Sequence, residues 1–471
     1  MQLTRKNLGQ ISSALGLMTA SLLAANAAHA QTASGGPAFP LPLPAPATGA
    51  VDDTVTDAGL TRIDSSVLFY AESGGRVKAT EPVVSATLNS DSGDVLTMRF
   101  TADALTGATP NGAAPWKAVQ TFITPAQAPG STKTVTSASG GSTIVTIPGT
   151  GTVARQYTSE PNSLPVDSGF KDMRYALDLG YSDALSSVTR LNFGGSASLE
   201  RDYGSYSASV GITQDFNQKR TTASLSLNTE YDQSDPRFGT PDPLTVMSAL
   251  QKGSNGSKTV LGLVAGVTEV VNRYWLTQLN YSYGTSNGYM TDPYRVISVV
   301  DPITGGPVQY LYESRPNSRV RQSLYWANKV ALGPTFLDFS ARAYHDSWGI
   351  TSTTIDMSDR VPFLSQFYIE PGLRYYHQTA ASFFQNYLLS GQPLPDYASS
   401  DSRLDQFSAK TFSLKAGFKL DNTTEFYVLA QDYVQTGNSH PAGAPGNLAN
   451  QNLLAGVKAL SVVTGFSFAF Y

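Results

Sequence analysis

The stretch Phe412-Ser-Leu-Lys-Ala-Gly-Phe-Lys-Leu420 alternates apolar and polar or small side chains at every step. A period of two predicts a β-strand with two unlike faces. The apolar face carries Phe412, Leu414, Ala416, Phe418 and Leu420. The other face carries Ser413, Lys415, Gly417 and Lys419. The pattern recurs over most of the chain without long apolar runs, which favours a transmembrane β-barrel that is apolar outside and polar inside.

The N-terminus indicates export. Arg5 and Lys6 precede an apolar stretch over residues 11–25, and Ala28-His29-Ala30 is a small-residue cleavage signal. These features predict a signal peptide over residues 1–30. The Pro- and Ala-rich residues 31–50 predict a disordered lead-in on the periplasmic side. Residues 51–471 then form the barrel, in the outer membrane of a Gram-negative bacterium.

Composition agrees with this class of protein. Loss of residues 1–30 removes two of the 32 basic residues and none of the 36 acidic ones, so the net charge falls from -4 to -6. This charge gives no basic footprint for nucleic acid. The chain has no cysteine for a lipid anchor or a disulfide, and Tyr (24) and Phe (21) far outnumber Trp (4). A soluble all-β protein stays open as the alternative.

Period-two segments predict about sixteen antiparallel strands in an up-and-down barrel. They are Ile63 to Ala71, Val83 to Leu88, Val95 to Ala104, Arg174 to Tyr181, Val188 to Leu199, Tyr206 to Asp215, Thr222 to Tyr231, Thr259 to Val271, Tyr274 to Tyr283, Arg319 to Leu332, Phe336 to His345, Thr353 to Val361, Phe367 to His377, Leu404 to Leu420, Glu425 to Val434 and Leu453 to Tyr471. Long and short connections alternate between them, as in outer-membrane barrels, whose extracellular loops are the long ones.

The longest connection is a Ser/Thr/Gly-rich loop over about residues 105–169. Counting turns from a periplasmic N-terminus places it outside the cell. Its two apolar patches, Val119 to Ile123 and Ile144 to Ile147, are expected to pair as a small hairpin.

The last strand carries Phe466, Phe468 and Phe470 in register and ends on Tyr471. This ending resembles the C-terminal signal by which the barrel-assembly machinery recognises outer-membrane proteins. The expected partners are therefore that machinery and outer-membrane lipid.

The inward rows collect charges of both signs. Those predicted to line a pore are Arg319, Arg321, Lys329, Arg342, Arg374, Lys415 and Lys419. Basic side chains that face acidic ones across a lumen create a transverse field that selects small solutes. The alternative, that these charges only neutralise one another inside a narrow or plugged barrel, stays open.

Three histidines follow the leader, and they allow a hydrolase hypothesis. His345 precedes Asp346, and His377 lies near the same end of a nearby strand. No nucleophile motif accompanies them, so no catalytic residue is assigned. No His or Cys pair has the spacing of metal ligands, so no metal site is predicted.

The segment Asp103-Ala-Leu-Thr-Gly-Ala-Thr109 resembles the acceptor sequence of proteins that carry covalent FMN on the last hydroxyl. The resemblance implies attachment at Thr109, with Asp103, Thr106, Gly107 and Ala108 as recognition residues and a periplasmic flavin transferase as partner. The alternative is that the segment has no function of its own and is a Thr- and Gly-rich stretch where the chain leaves a strand.

Together, these features make most of the chain similar to a family of outer-membrane barrels of unknown function, often encoded beside a flavin transferase and small lipoproteins. The resemblance implies work at the cell envelope. Three function classes therefore stay open: a passive channel or scaffold, a flavinylated barrel in electron transfer, and an outer-membrane hydrolase.

Overall fold

The computed structural model describes residues 59–125, 143–146, 153–236, 239–247 and 255–470. Within these residues, sixteen antiparallel strands close into one barrel. The predicted fold class is confirmed. The signal peptide over 1–30, the lead-in over 31–50 and Tyr471 lie outside the described residues. No helix of the described part is long and apolar enough to cross a membrane.

The barrel strands follow one another around the ring in chain order. The first eight are β1 (Thr61–Glu72), β2 (Lys78–Asn89), β3 (Val95–Pro110), β4 (Val166–Asp183), β5 (Thr189–Leu199), β6 (Tyr203–Phe216), β7 (Thr221–Ser234) and β8 (Gly256–Asn272). The last eight are β9 (Trp275–Gly288), β10 (Ser318–Leu332), β11 (Thr335–Asp346), β12 (Thr351–Pro362), β13 (Phe367–Gln378), β14 (Phe407–Lys419), β15 (Thr424–Gly437) and β16 (Lys458–Phe470).

Pairing of the first and last strands closes the ring. Thr61 faces Phe470 and Glu72 faces Ala459, in antiparallel register. Closure leaves no strand edge unpaired, which is the condition for a sheet to cross a membrane. Each of the sixteen strands predicted from the period of two corresponds to one strand of the ring.

The outward rows form an apolar band. On β4, for example, Met173, Tyr175, Leu177 and Leu179 are between 47% and 53% exposed. In a water-soluble barrel such rows would be a large exposed apolar surface. Phe466, Phe468 and Phe470 also point outward on β16, as their spacing predicts.

The two ends of the barrel differ in their connections. The short-turn end carries tight turns such as 333–334. The first barrel strand also begins there and the last one ends there. The long-loop end carries the connections 111–165, 235–255, 289–317, 379–406 and 438–457. Three further connections at this end, 73–77, 200–202 and 347–350, are short, so the predicted alternation holds at five of the eight.

Both boundaries of the longest loop differ from the prediction. β3 continues to Pro110 and β4 begins at Val166, so the long loop spans 111–165 and not 105–169. The pairing of β3 with β4 shifts register between Gly107 and Thr109, and this bulge lets the strand continue through a turn-like sequence.

The predicted hairpin inside this loop has the wrong partners. Gln120–Pro125 and Thr143–Thr146 do not pair with each other, because both flank a third strand, Val153–Ser159. A second small sheet, from Val296–Val300, Pro307–Tyr312 and Leu388–Leu389, joins two other long loops. The long-loop end is therefore a folded structure in its own right.

Candidate functional site: a charged lumen with a capped mouth

The inward rows of β10 to β14 form a basic wall. Its cations are Arg319, Arg321, Lys329, Arg342, Arg360, Arg374, Lys415 and Lys419. Its carboxylates are Asp338, Asp346, Asp356 and Glu370. All seven residues predicted to line a pore lie on this wall, and the sequence prediction omitted Arg360. Eight cations thus face the lumen beside four carboxylates.

The inward rows of β2 to β8 have the opposite balance and form an acidic wall. Its carboxylates are Glu81, Asp103, Asp172, Asp178, Asp215, Glu230 and Asp232. Its cations are Arg99, Arg174, Arg190 and Lys258. In a ring of sixteen strands, β4 and β5 lie opposite β12 and β13. The acidic wall therefore faces the basic wall across the lumen.

Cross-strand ion pairs on the basic wall are exposed to the lumen. Lys329 Nζ lies 3.5 Å from Asp338 Oδ1, with the side chains 34% and 44% exposed. Arg374 Nε lies 3.5 Å from Asp356 Oδ1, with exposures of 30% and 39%. These pairs face into the ring, so the exposure shows space for water along this wall.

Among the described residues, three cations of the basic wall have an aromatic or hydroxyl partner in place of an ion pair. The Arg342 guanidinium lies over the Tyr325 ring at 5.2 Å, and Arg321 donates to Ser286 Oγ at 2.9 Å. Lys415 Nζ lies 4.3 Å from the centre of the Tyr427 ring. Contacts of this kind hold a cation in place without cancelling its charge.

The acidic wall is more tightly packed near the long-loop end. Arg174 lies 3.4 Å from both Glu81 and Asp103, whose side chains are almost fully buried. Lys258 Nζ lies 2.7 Å from Asp232 Oδ2 in an equally buried pair. Arg174 alone pairs with two carboxylates, so carboxylates outnumber cations on this wall.

Part of the inward surface is apolar, which the sequence did not predict. Leu68 and Tyr70 on β1 pack with Tyr433 on β15 and Val463 on β16. The Tyr70 hydroxyl donates to Glu72 Oε1 at 3.0 Å, and the Tyr433 hydroxyl donates to Gln435 at 3.2 Å. This packing narrows the lumen beside β1, β15 and β16.

The long loops close over the mouth as a cap, which we define as the described residues of 111–123, 156–165, 239–247, 289–317, 379–406 and 438–457. Ala114, Val300, Leu448 and Leu453 form one buried cluster, although they leave the ring at β3, β9 and β15. A ring of this size is about 30 Å across. Loops that start so far apart can meet only over the mouth.

A buried ion network holds the cap together. Arg315 lies 2.6 Å from Glu313 and 2.8 Å from Asp401. Arg295 lies 3.0 Å from Asp292 and 3.3 Å from Asp401. Arg403 also pairs with Asp401. Three guanidinium groups thus meet three carboxylates, so charges that would be costly to bury alone are compensated.

Arg295 anchors this network to the barrel. Its Nη1 donates to the Pro110 carbonyl at the end of β3, at 3.1 Å. The cap is therefore fixed to the rim of the barrel by a charged group.

Two of the three buried acids in this network respond differently to burial. Burial alone raises the pKa of Asp401, but Arg295, Arg403 and Arg315 offset it and hold the pKa well below its usual range. Burial raises the pKa of Glu313, and Arg315 only partly opposes this. Asp401 is therefore the carboxylate whose charge stabilises the cap.

The histidines do not form a hydrolase triad. His345 is exposed on the outside of β11, whereas Asp346 is buried on the inside, with Arg319 Nε 2.9 Å from its Oδ2. His377 Nδ1 lies 3.0 Å from Ser408 Oγ on the outer face. His440 contacts Ser439 in the cap. Among the described residues, no group of three or more His, Asp or Glu side chains is placed to hold a metal ion.

The predicted FMN acceptor segment lies in β3. Asp103 is buried in its ion pair with Arg174, and a Cβ at Gly107 would collide with the Arg76 carbonyl oxygen. Thr109 is half-buried and its backbone pairs with Asp167. A flexible acceptor turn is what covalent attachment needs, so these residues do not fit FMN in the folded barrel. Attachment at Thr109 stays a prediction.

The family model described as "Protein of unknown function (DUF3570)" matches residues 37–470. The chain belongs to this family. No curated protein matches the chain. The family agrees with the expected membership of a family of unknown function, and it assigns no activity. A gene for a flavin transferase beside this one stays a prediction.

Three solved structures with a similar fold come from other bacterial proteins. The siderophore receptor PirA from Pseudomonas aeruginosa is 12% identical with a TM-score of 0.36, over 87% of this chain and 62% of the receptor. CdiB from Acinetobacter baumannii is 8% identical with a TM-score of 0.37, over 87% of this chain and 60% of CdiB.

The outer membrane protein opdK from Pseudomonas aeruginosa is 7% identical with a TM-score of 0.36, over 88% of this chain and 99% of opdK. The chain spans about three fifths of the length of PirA and CdiB. The likeness to all three is one of barrel fold alone.

Proposed function

We propose that the protein is an outer-membrane channel for small charged or zwitterionic solutes, with the cap restricting its outer mouth. A solute that carries both charges is aligned between an acidic and a basic wall, whereas a large neutral one gains nothing from the field. The observation that carries this proposal is the position of the acidic wall opposite the basic wall.

The exposed ion pairs Lys329–Asp338 and Arg374–Asp356 support the proposal. Charged side chains hydrated inside a ring require a lumen that holds water. A plugged barrel would bury such pairs, as the cap buries Arg315 and Asp401. A purely structural scaffold would have no need of a hydrated charged interior.

The proposal includes a route to the membrane. Residues 1–30 act as the export signal, and the outward Phe466, Phe468 and Phe470 are read by the barrel-assembly machinery. The apolar outward rows then contact lipid, and the cap faces the outside of the cell. The proposal assigns no catalytic residue, because His345 and Asp346 lie on opposite faces of β11.

A swelling assay with proteoliposomes tests this proposal. We expect faster entry of a small zwitterion and of a small dicarboxylate than into protein-free liposomes. The double variant Arg321→Gln/Arg342→Gln should slow the dicarboxylate more than the zwitterion, whereas Lys219→Gln, in an exposed turn at the short-turn end, should change neither. Swelling equal to that of protein-free liposomes would contradict the channel and favour a scaffold.

A further inference from the structure

Four lysines stand on the outward rows of the ring: Lys78 on β2, Lys171 on β4, Lys410 on β14 and Lys458 on β16. All four are exposed. Every other Lys or Arg of the described barrel strands stands on an inward row. None of the four has an ion-pair partner among the described residues.

The four lysines share one arc. Closure of β1 with β16 makes β14, β15, β16, β1, β2, β3 and β4 consecutive around the ring. The lysines occupy every second strand of this arc, each near the long-loop end. On the opposite side, the outward residues at the same end are uncharged, such as Tyr231, Gln233 and Tyr283.

The lysines also share one level. Each lysine lies ten residues before an outward residue near the short-turn end. For Lys78, Lys171, Lys410 and Lys458 these residues are Leu88, Tyr181, Leu420 and Phe468. Ten residues of tilted strand span about 25 Å along the barrel axis, which is the height of the apolar band of such barrels. Each ammonium group therefore lies at the outer border of the apolar band.

Lys78 and Lys171 flank one exposed hydroxyl. Thr106 on β3 faces Lys78 on one side and Lys171 on the other. The two lysines are thus two strand spacings apart, about 10 Å, and their long side chains can converge on one group between them. Two ammonium groups and a hydroxyl at one place match a phosphate group.

Lys410 and Lys458 form a similar pair across Val434. Here Asp432 faces outward on the middle strand, one step nearer the short-turn end. Its carboxylate weakens the attraction for an anion. The first pair is therefore the stronger site.

We propose that Lys78, Thr106 and Lys171 bind a phosphate group of an anionic lipid in the outer leaflet. This inference rests on the proposed placement of the barrel in the outer membrane. A lipid fits better than a second copy of the chain, because the opposite arc offers no acidic row at this level. The acyl chains of the same lipid would cover Met173 and Tyr175 below.

Native mass spectrometry of the folded barrel, titrated with bis-phosphorylated lipid A, tests the site. The reference lipid is zwitterionic phosphatidylethanolamine. We expect Lys78→Gln/Lys171→Gln to weaken the apparent Kd for lipid A about 30-fold, from roughly fivefold per lysine. The Kd for phosphatidylethanolamine should stay within roughly twofold of the native value.

Two matched variants control for charge and folding. Lys219→Gln/Arg220→Gln removes the same two charges at the short-turn end and should leave lipid A binding unchanged. Lys78→Arg/Lys171→Arg keeps both charges and should bind lipid A like the native protein. Heat-modifiable migration on a gel shows that each variant is folded.

Equal lipid A binding by the native protein and Lys78→Gln/Lys171→Gln would overturn the inference. So would displacement of lipid A by millimolar inorganic phosphate, which would mark a site for free anions, or a change in oligomer mass, which would mark an interface between copies. If these results came with normal conductance, the channel would stand and only the lipid site would fall.

Discussion

Arg315 donates to Asp401 across 2.8 Å, although 86 residues separate the two in the chain. Both side chains are buried, with exposures of 2% and 0%. This pair joins the loop after β9 to the loop after β13. Loss of this one contact would therefore disconnect two loops of the cap from each other.

Replacing one partner should loosen the cap and leave the barrel intact. Asp401→Asn leaves three guanidinium groups around a neutral side chain, and breaking a buried pair in this way costs about 3 to 5 kcal/mol. We expect faster hydrogen exchange in residues 289–317 and 379–406, with unchanged exchange in β10 to β14. Asp396→Asn, an exposed aspartate of the same loop, is the control and should exchange like the native protein.

The cap should also weaken in acid. Because the pKa of Asp401 in the folded protein lies well below its usual value, its stabilisation is fully present above about pH 4 and is lost as the pH falls through the folded pKa. The raised pKa of Glu313 acts in the opposite direction. Protection factors of 379–406, which correct hydrogen exchange for the intrinsic rate at each pH, should therefore fall below about pH 4 in the native protein and fall less in Asp401→Asn. Equal acid responses in both would contradict this role.

Outward and inward positions on β10 should differ in their tolerance of charge. Leu324 is 47% exposed on the outside, so Leu324→Arg places a charge in lipid at a cost of about 2 to 4 kcal/mol. Ser323 faces the lumen, where its hydroxyl lies 2.7 Å from that of Ser282, so Ser323→Arg should cost less than about 1.5 kcal/mol. Folding yield and heat-modifiable migration measure both. Equal yields would count against a membrane barrel.

The fate of Thr109 separates a channel from a flavoprotein. Because the backbone of Thr109 pairs with β4, we expect refolded barrel offered to a flavin transferase to gain no FMN-sized mass. Unfolded protein, or protein made beside the transferase, is where the acceptor sequence predicts an increment. Intact-mass spectra of native protein and Thr109→Ala decide the matter. An increment on refolded protein that Thr109→Ala lacks would show that the folded strand opens.

Local pattern was enough to predict the ring, because each strand has its own period of two. The continuation of β3 was missed, since Thr106-Gly107-Ala108-Thr109 has turn composition and only the pairing with β4 makes it a strand. The cap was missed for a different reason. Arg295, Arg315 and Asp401 are single charges in polar loops, and only the folded chain brings them together.

The lumen was partly predictable. The inward cations from Arg319 to Lys419 follow from strand parity alone. Their opposition to Glu81, Asp103 and Glu230 depends on which strands face each other across the closed ring. Strand parity shows that Tyr70 and Val463 point inward. It does not show that they pack together as an apolar cluster.

The opposed walls are the central claim, and the reversal potential of single channels in a planar bilayer under a KCl gradient tests them most directly. The native lumen should be only weakly selective. Arg321→Gln/Arg342→Gln should shift the reversal potential toward cation selectivity, and Asp178→Asn/Asp215→Asn should shift it toward anion selectivity, because each double variant removes charge from one wall. Shifts of opposite sign are the predicted result. A conducting barrel whose reversal potential is the same in all three proteins, or a native barrel that does not conduct, would contradict the account.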